Sequence, residues 1–523
     1  MAKRDRKASL LLSLLFIGIV SGCNFPGLQT PQPDLTVGML KLTLAAQNPV
    51  GLESTQSLDL TAPTVPQTTS TPADAETTPQ LTAVFLPPDD ELFRYYLSQP
   101  GDTLAALSSR FSVSPDAITP QIDQPEDAFL QHGLLLQIPR QFETPVEWGA
   151  VLPDSEVLQS PTSLDFDIEG FIREAGGYLS RHGENVQNGY LTGAQIIDRV
   201  ASESSINPRF LLALLEFRSG WVYGEPASAS KREYPIGFQV PGQTGLYREL
   251  IMVATHLNAG YYGWRDGSIV EMKFRDATLA RIPPKLNAGS AAVQYLFSKF
   301  YRREAWGAAL FEPGNFSEEY VQMFGDPWDR AAAYGPLFPE GIMQPELELP
   351  FSPGERWSLT GGPHPSWKTG SPRGAVDFAP VTGEPACMVS RAWVLAAASG
   401  LVVRNERSVI TIDLDGDGFE QTGWVLLYYH IAEKDRIPAG TYVETDDPIG
   451  HPSCEGGAST GTHFHFARKY NGEWIAADGP LRMNLGGWQA YAAEKNYQGE
   501  FRNGEKVAVA SPVGPRTSII VRE

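Results

Sequence analysis

Hydrophobic and polar residues follow several successive patterns along this chain. Behind a basic start, MAKRDRK, the run ASLLLSLLFIGIV is apolar almost throughout but shorter than a comfortable membrane span. From residue 24 to 90 the periodicity vanishes and Thr, Pro and Gln predominate, which predicts a flexible, partly extended linker. Between 95 and 140, Tyr95–Leu97 predicts a short strand and Gly101-Asp102 a turn. Thr103 caps a helix carrying Leu104, Leu107 and Phe111; Ser114-Pro115 opens a second helix and Leu134–Pro139 closes as a strand. Residues 161 to about 345 read as helical. Thr192 and Gln195 form a capping-box pattern, and Asn207-Pro208 starts the run FLLALLEF, apolar almost all round and so expected to be buried. From 350 onward short β-rich runs such as SVITIDL and GWVLLYYHI alternate with Gly, Pro and Asp turns. No long helical pattern appears until GWQAYAAEK, so an antiparallel β domain is expected.

Length, charge and cysteines narrow this picture. A chain of 523 residues suggests roughly three or four domains. The net charge of −20 argues against a nucleic-acid partner, which needs clustered Lys and Arg. The first segment, ending in Val20-Ser21-Gly22-Cys23, resembles a bacterial lipoprotein signal with its lipobox. That resemblance implies that residues 1–23 are a signal peptide, that Cys23 is lipidated, and that the body is extracytoplasmic and tethered to a membrane. An ordinary signal peptide would also export it. Outside the cytoplasm the remaining pair, Cys387 and Cys454, reads as a disulfide; closing a 67-residue separation is worth about 4 kcal/mol by loop entropy.

Two internal stretches resemble known modules. Residues 91–142, with the GDTL turn and the closing Gly133 to Pro139, resemble a LysM module of βααβ order. This implies binding to peptidoglycan glycans, with Gly101, Asp102 and Thr103 among the contacts. NPRFLLALLEFRSGW and YPIGFQV, within 160–345, resemble lysozyme-like lytic transglycosylases. Those enzymes carry a glutamate where Arg218 stands here, and Glu216 lies about 200° round the helix from it. An inactive glycan-binding or structural domain is therefore expected.

The chemistry concentrates in GTHFHFARK, residues 461–469. On a strand, His463 and His465 share one face while Phe464 and Phe466 share the other. Two solvent-facing histidines would show the same spacing. His364 in the expected turn GGPHPSW, Asp377 at the start of a strand, and His430 at the end of LLYYH add three more polar groups. A catalytic zinc takes three protein ligands and keeps one position open for water, and His364, Asp377 and His465 make such a set. His463 and His430 remain for proton and charge work.

Residues 346–500 resemble the lysostaphin-type zinc metallopeptidases, with their duplicated hybrid motif fold. Most members place the first ligand four residues before the aspartate, where Arg373 stands here; the staphylolysin-like branch spaces the two by thirteen residues, as His364 and Asp377 are. The resemblance implies one catalytic zinc on His364, Asp377 and His465, with His463 as general base and His430 as a hydrogen-bond donor to the oxyanion. It also implies cleavage of peptidoglycan cross-link or bridge peptides. The alternative is a non-catalytic wall-binding protein that recruits another hydrolase. His451 is expected on the loop surface, and His132, His182 and His256 lie in other domains. Asp413, Asp415 and Asp417 in DLDGDGFEQ read as a turn, with calcium as the alternative reading; the closing glutamate of an EF-hand loop is replaced by Trp424. Residues 501–523 read as a C-terminal tail.

Overall fold

The computed structural model describes residues 86–142, 148–187 and 189–523. The signal segment with Cys23, and the linker before residue 86, lie outside the described residues. Phe93–Leu97 and Leu135–Pro139 each alternate buried and half-buried positions and pair antiparallel, Tyr96 opposite Leu136. Between them Thr103 caps the helix Leu104–Phe111, its hydroxyl accepting the Ala106 N–H at 3.1 Å. The second helix expected after Ser114-Pro115 is a correction: only one 3-10 turn, Pro115–Ala117, forms. Pro120 and Pro125 follow; neither has an N–H to donate, and each disfavours the helical region for its predecessor. Nor does this small module stand apart, for the Arg110 guanidinium donates twice to the Trp264 carbonyl, at 2.8 and 3.1 Å.

In the middle region the capping signals act as written. The Thr192 side chain accepts from the Gln195 backbone while the Gln195 side chain reaches back, and Asn207 caps Pro208–Ser219, whose residues Pro208 to Leu215 are all buried. The region is less uniformly helical than expected, because Gly183–Val186 pairs with Gly189–Thr192 and Glu271–Lys273 with Leu279–Arg281. Glu216 is spent on the end of its helix, accepting the N–H groups of Val222 and Tyr223 at 2.8 and 3.2 Å. Arg218 donates to the Ile236 carbonyl at 2.7 Å and lies over the Phe300 ring.

The C-terminal part is built on one antiparallel sheet. Its order is Tyr442–Val443, Gly400–Glu406, Val409–Asp413, Trp424–Tyr429, Phe464–Tyr470, Ala375–Pro380, Arg356–His364 and Ile519–Val521, with Glu473–Trp474 pairing on Phe464–Tyr470. Alternation splits its side chains. Val409, Leu427, Ala467 and Ala375 join the core of the helical region, whereas Ile410, Leu426, Phe466 and Val376 join a second core. A smaller sheet, Asn484–Leu485, Trp488–Ala492, Gly499–Asn503 and Lys506–Val509, covers that second face through Trp488, Ala490 and Phe501. Two expectations are corrected. GWQAYAAEK contains a strand, since Trp488 and Ala490 are buried on either side of exposed Gln489. Residues 501–523 are no tail: Ile519–Val521 pairs with Arg356–Ser358 at the edge of the main sheet. Cys387 and Cys454 are disulfide-bonded, with Cα atoms 5.0 Å apart. Among the described residues no helix is long and apolar enough to cross a membrane.

Buried charge joins the three parts. Arg265 donates to Glu473 at 3.1 Å, to Asp154 at 3.0 Å and to the Pro100 carbonyl, while Tyr261 donates to Glu473 at 2.8 Å. Burial pushes the Glu473 carboxyl upward, and the Arg265 charge opposes it. Removing the cation leaves an uncompensated buried carboxylate, so Arg265→Met is expected to cost about 3–5 kcal/mol. Urea unfolding followed by tryptophan fluorescence checks this; a loss under about 1 kcal/mol, the range of an exposed pair, would show that the network adds little.

Candidate metal centre

Sheet register brings the site together. His465 lies directly opposite Asp377 on one neighbouring strand and Tyr429 on the other. Asp377 in turn faces Gly361, and His364 faces Ala375. His364 is not in a turn, as expected, but is the last residue of the strand Arg356–His364. Two register shifts, between Leu359 and Gly361 and between Gly361 and His364, re-aim the end of that strand. Gly361 is required there: a Cβ would lie 2.4 Å from Asp377 Oδ2. Alternation places His465 with Ala467, on the side facing the helical region.

Three donor atoms then converge. His364 Nε2 is 3.0 Å from His465 Nδ1, and each is 3.3 Å from Asp377 Oδ1. The opposite ring nitrogens settle which atoms carry protons. His364 Nδ1 lies 2.9 Å from the Gly362 carbonyl and His465 Nε2 lies 2.8 Å from the Ser366 carbonyl. A carbonyl only accepts, so these nitrogens are N–H and the converging ones are bare lone pairs in the neutral rings. Burial lowers the pKa of His465. Burial alone would raise Asp377; only positive charge beside it, on His364 first were that ring protonated, holds its carboxyl well below the usual carboxylate range. Its Oδ1 is buried with no hydrogen-bond donor among the described residues. Three electron-rich atoms at this separation repel one another unless a cation lies between them. A tetrahedral zinc bound at about 2.0–2.1 Å separates its ligands by roughly 3.4 Å, close to the triangle found here.

A second histidine pair adjoins the triad. The His430 and His463 ring centroids are 4.6 Å apart, and His463 Nε2 is 3.9 Å from Asp377 Oδ1. Their Nδ1 atoms lie 2.7 Å from the Glu455 carbonyl and 2.8 Å from the Gly461 carbonyl. Both rings therefore present a bare Nε2 when neutral. Burial depresses His430 to about 4, with the nearby His463 charge adding to it. In the neutral ring His430 Nε2 accepts, and the hydrogen-bond donor role expected of it belongs to the protonated ring.

Sequence reasoning missed Tyr497, whose ring stacks on His364 at 4.1 Å. It sits in the turn between two strands of the smaller sheet, and no local motif marks it. Trp367 and Tyr429, with ring centroids 5.0 Å apart, form a further wall. Arg373 donates to the Ala493 carbonyl and is absent from the triad. His451 is not a surface residue but is buried against Trp393, with its Nδ1 2.8 Å from the Ala392 carbonyl. His132, His182 and His256 lie outside the cluster; His182 pairs with Glu184 at 3.4 Å. Gly101, Asp102 and Thr103, the expected glycan contacts, are buried. Asp102 is consumed internally by Arg110 and Tyr96, each at 2.7 Å. Gly101 and Thr103 line a cleft of about 470 Å³ shared with Arg265, Phe338 and Asp478. Asp413, Asp415 and Asp417 cluster in the hairpin turn, where their carboxylates accept the N–H groups of Gly418, Asp417 and Phe419.

Residues 150–337 match the family model described as LasA, N-terminal domain. The chain is similar to Protease LasA of Pseudomonas aeruginosa strain UCBPP-PA14, 27% identical over 349 residues, covering 61% of this chain and 76% of that protein. It is also similar to the Beta-lytic metalloendopeptidase of Achromobacter lyticus, 28% identical over 167 residues, covering 30% of this chain and 40% of that one. Among solved structures it matches the M23 metalloprotease Pseudoalterin from the deep sea at 23% identity and a TM-score of 0.27, covering 32% of this chain and 96% of that one.

Proposed function

We propose that the chain is a zinc-dependent endopeptidase that hydrolyses cross-link or bridge peptides of bacterial peptidoglycan. The observation that carries this reading is the convergence of three bare donor atoms, His364 Nε2, His465 Nδ1 and Asp377 Oδ1, within 3.3 Å of one another. Similarity to a protease and a metalloendopeptidase supports it.

His364, Asp377 and His465 would hold the zinc. When bound, zinc supplies Lewis acidity that activates water and polarises the scissile carbonyl. The remaining steps belong to the side chains. His463 Nε2 accepts the proton of the attacking water, and Asp377, 3.9 Å away, favours the imidazolium so formed. That imidazolium then donates the proton to the departing amine. His430, accepting at Nε2, orients the water. The Gly362 and Ser366 carbonyls keep the two ligating rings in a single tautomer throughout.

Lipidation at Cys23 would tether this activity outside the cytoplasm, and the Cys387–Cys454 disulfide is consistent with an oxidising compartment. The test is metal analysis of the purified full chain together with mass spectrometry of digested peptidoglycan fragments. About one equivalent of zinc and newly exposed amino termini are expected. Absence of zinc with uncut fragments would leave the non-catalytic wall-binding reading in its place.

A further inference from the structure

One short segment holds both histidines outside the triad. The acceptors for their Nδ1 atoms, the Glu455 and Gly461 carbonyls, lie in residues 454–461, whereas the triad rings lean on Gly362 and Ser366. The Ser453 N–H and hydroxyl both donate to the His430 carbonyl, each at 2.9 Å. These bonds hold His430 at φ 64°, where a non-glycine residue persists only under constraint from its neighbours. Ser459 ties the other end: its hydroxyl is 2.7 Å from the Gly461 carbonyl and 3.3 Å from both His463 Nδ1 and Cys454 Sγ. Cys454 opens this segment and is bonded to Cys387, itself at φ 61°.

We propose that the Cys387–Cys454 disulfide positions the proton-handling pair: it clamps residues 453–461 so that the Nε2 atoms of His430 and His463 face the centre, and opening it lowers turnover without releasing metal. The inference rests on the peptidase reading for its kinetic consequence, but not for its geometry. Two further bonds join the same loops, Ser390 N–H to the Pro452 carbonyl at 3.1 Å and Thr462 hydroxyl to the Met388 carbonyl at 2.8 Å. Both lie outside residues 453–461. Without the disulfide they keep the ends of the segment near while its interior, with both acceptor carbonyls, gains freedom. Misplacement of a catalytic group by about 1 Å costs on the order of 10²-fold in rate.

The test compares the full chain with its Cys387→Ser/Cys454→Ser variant, both labelled with ¹⁵N-histidine and loaded with zinc. Ring ¹⁵N signals report tautomers independently of activity. In the parent, His430 and His463 are expected to be single Nδ1–H tautomers. In the variant these two average between tautomers, while His364 stays Nδ1–H, His465 stays Nε2–H and zinc content is unchanged. Turnover on a wall peptide falls by roughly 10²-fold with KM within about threefold. Unchanged His430 and His463 signals would overturn the proposal, as would averaging of all four rings with zinc loss, which marks general loosening. If the double variant does not fold, Ser459→Ala decides: averaging of His463 with zinc retained supports the clamp, and an unchanged signal overturns it. A parent chain that binds no zinc and cuts nothing, yet shows the tautomer response, sinks the peptidase reading and leaves the positioning intact.

Discussion

His465→Ala is expected to remove both the metal and the activity. Its Nδ1 is one of three donor atoms at the centre, and the bare Nε2 of His463, 3.9 Å from Asp377 Oδ1, lies outside the group that converges there. Two ligands hold zinc far more weakly than three, and the apo protein lacks the cation that offsets repulsion between His364 and Asp377. Zinc content should fall to background, and peptide cleavage with it. His364→Ala, on the other side of Asp377, should behave in the same way. Full zinc in His364→Ala would show that the thirteen-residue spacing of His364 and Asp377 marks the wrong pair.

His463→Ala should fail differently. This ring is 3.9 Å from Asp377 and outside the triangle, so its loss leaves all three donors in place. The variant is expected to keep its zinc and its unfolding midpoint while turnover drops by roughly 10² to 10⁴, the range of a positioned general base. His430 is the nearest ring that could substitute, at 4.6 Å between centroids, but burial holds its pKa near 4, so it is a weak base at neutral pH. Residual activity should therefore stay low rather than recover through His430. Loss of zinc from His463→Ala would place this ring among the ligands and exchange its role with that of His465. The metal assay separates the two outcomes without reference to any substrate.

Local interactions were legible without coordinates because they involve neighbours in sequence. The Thr192–Gln195 capping box, the Asn207 cap before Pro208 and the alternation that puts Phe464 and Phe466 in one core and His465 on the opposite face each depend on a few successive residues. The pair Cys387 and Cys454 was legible from compartment and count. Proline positions were visible too, yet their cumulative effect on the stretch after Ser114 was underestimated, and a single 3-10 turn replaced a helix.

Long-range pairing decided the rest. A stretch such as WQAYA is ambiguous between helix and strand until Tyr491 meets Glu500 across the smaller sheet. Residues 519–521 become structure only because Arg356–Ser358 offers an edge to pair with. Tyr497 reaches His364 through that same smaller sheet, and Asp102 is hidden by Arg110 from its own module. The sequence by itself determined the donor types available at the site, the strand that presents His465 and the ends of the principal helices, since these follow from side-chain chemistry and short-range periodicity. Only the tertiary structure decided which lone pairs meet, through two register shifts around Gly361. It alone assigned each ring its tautomer as well, because the carbonyl that takes a histidine proton is chosen by the fold and not by the residues beside it.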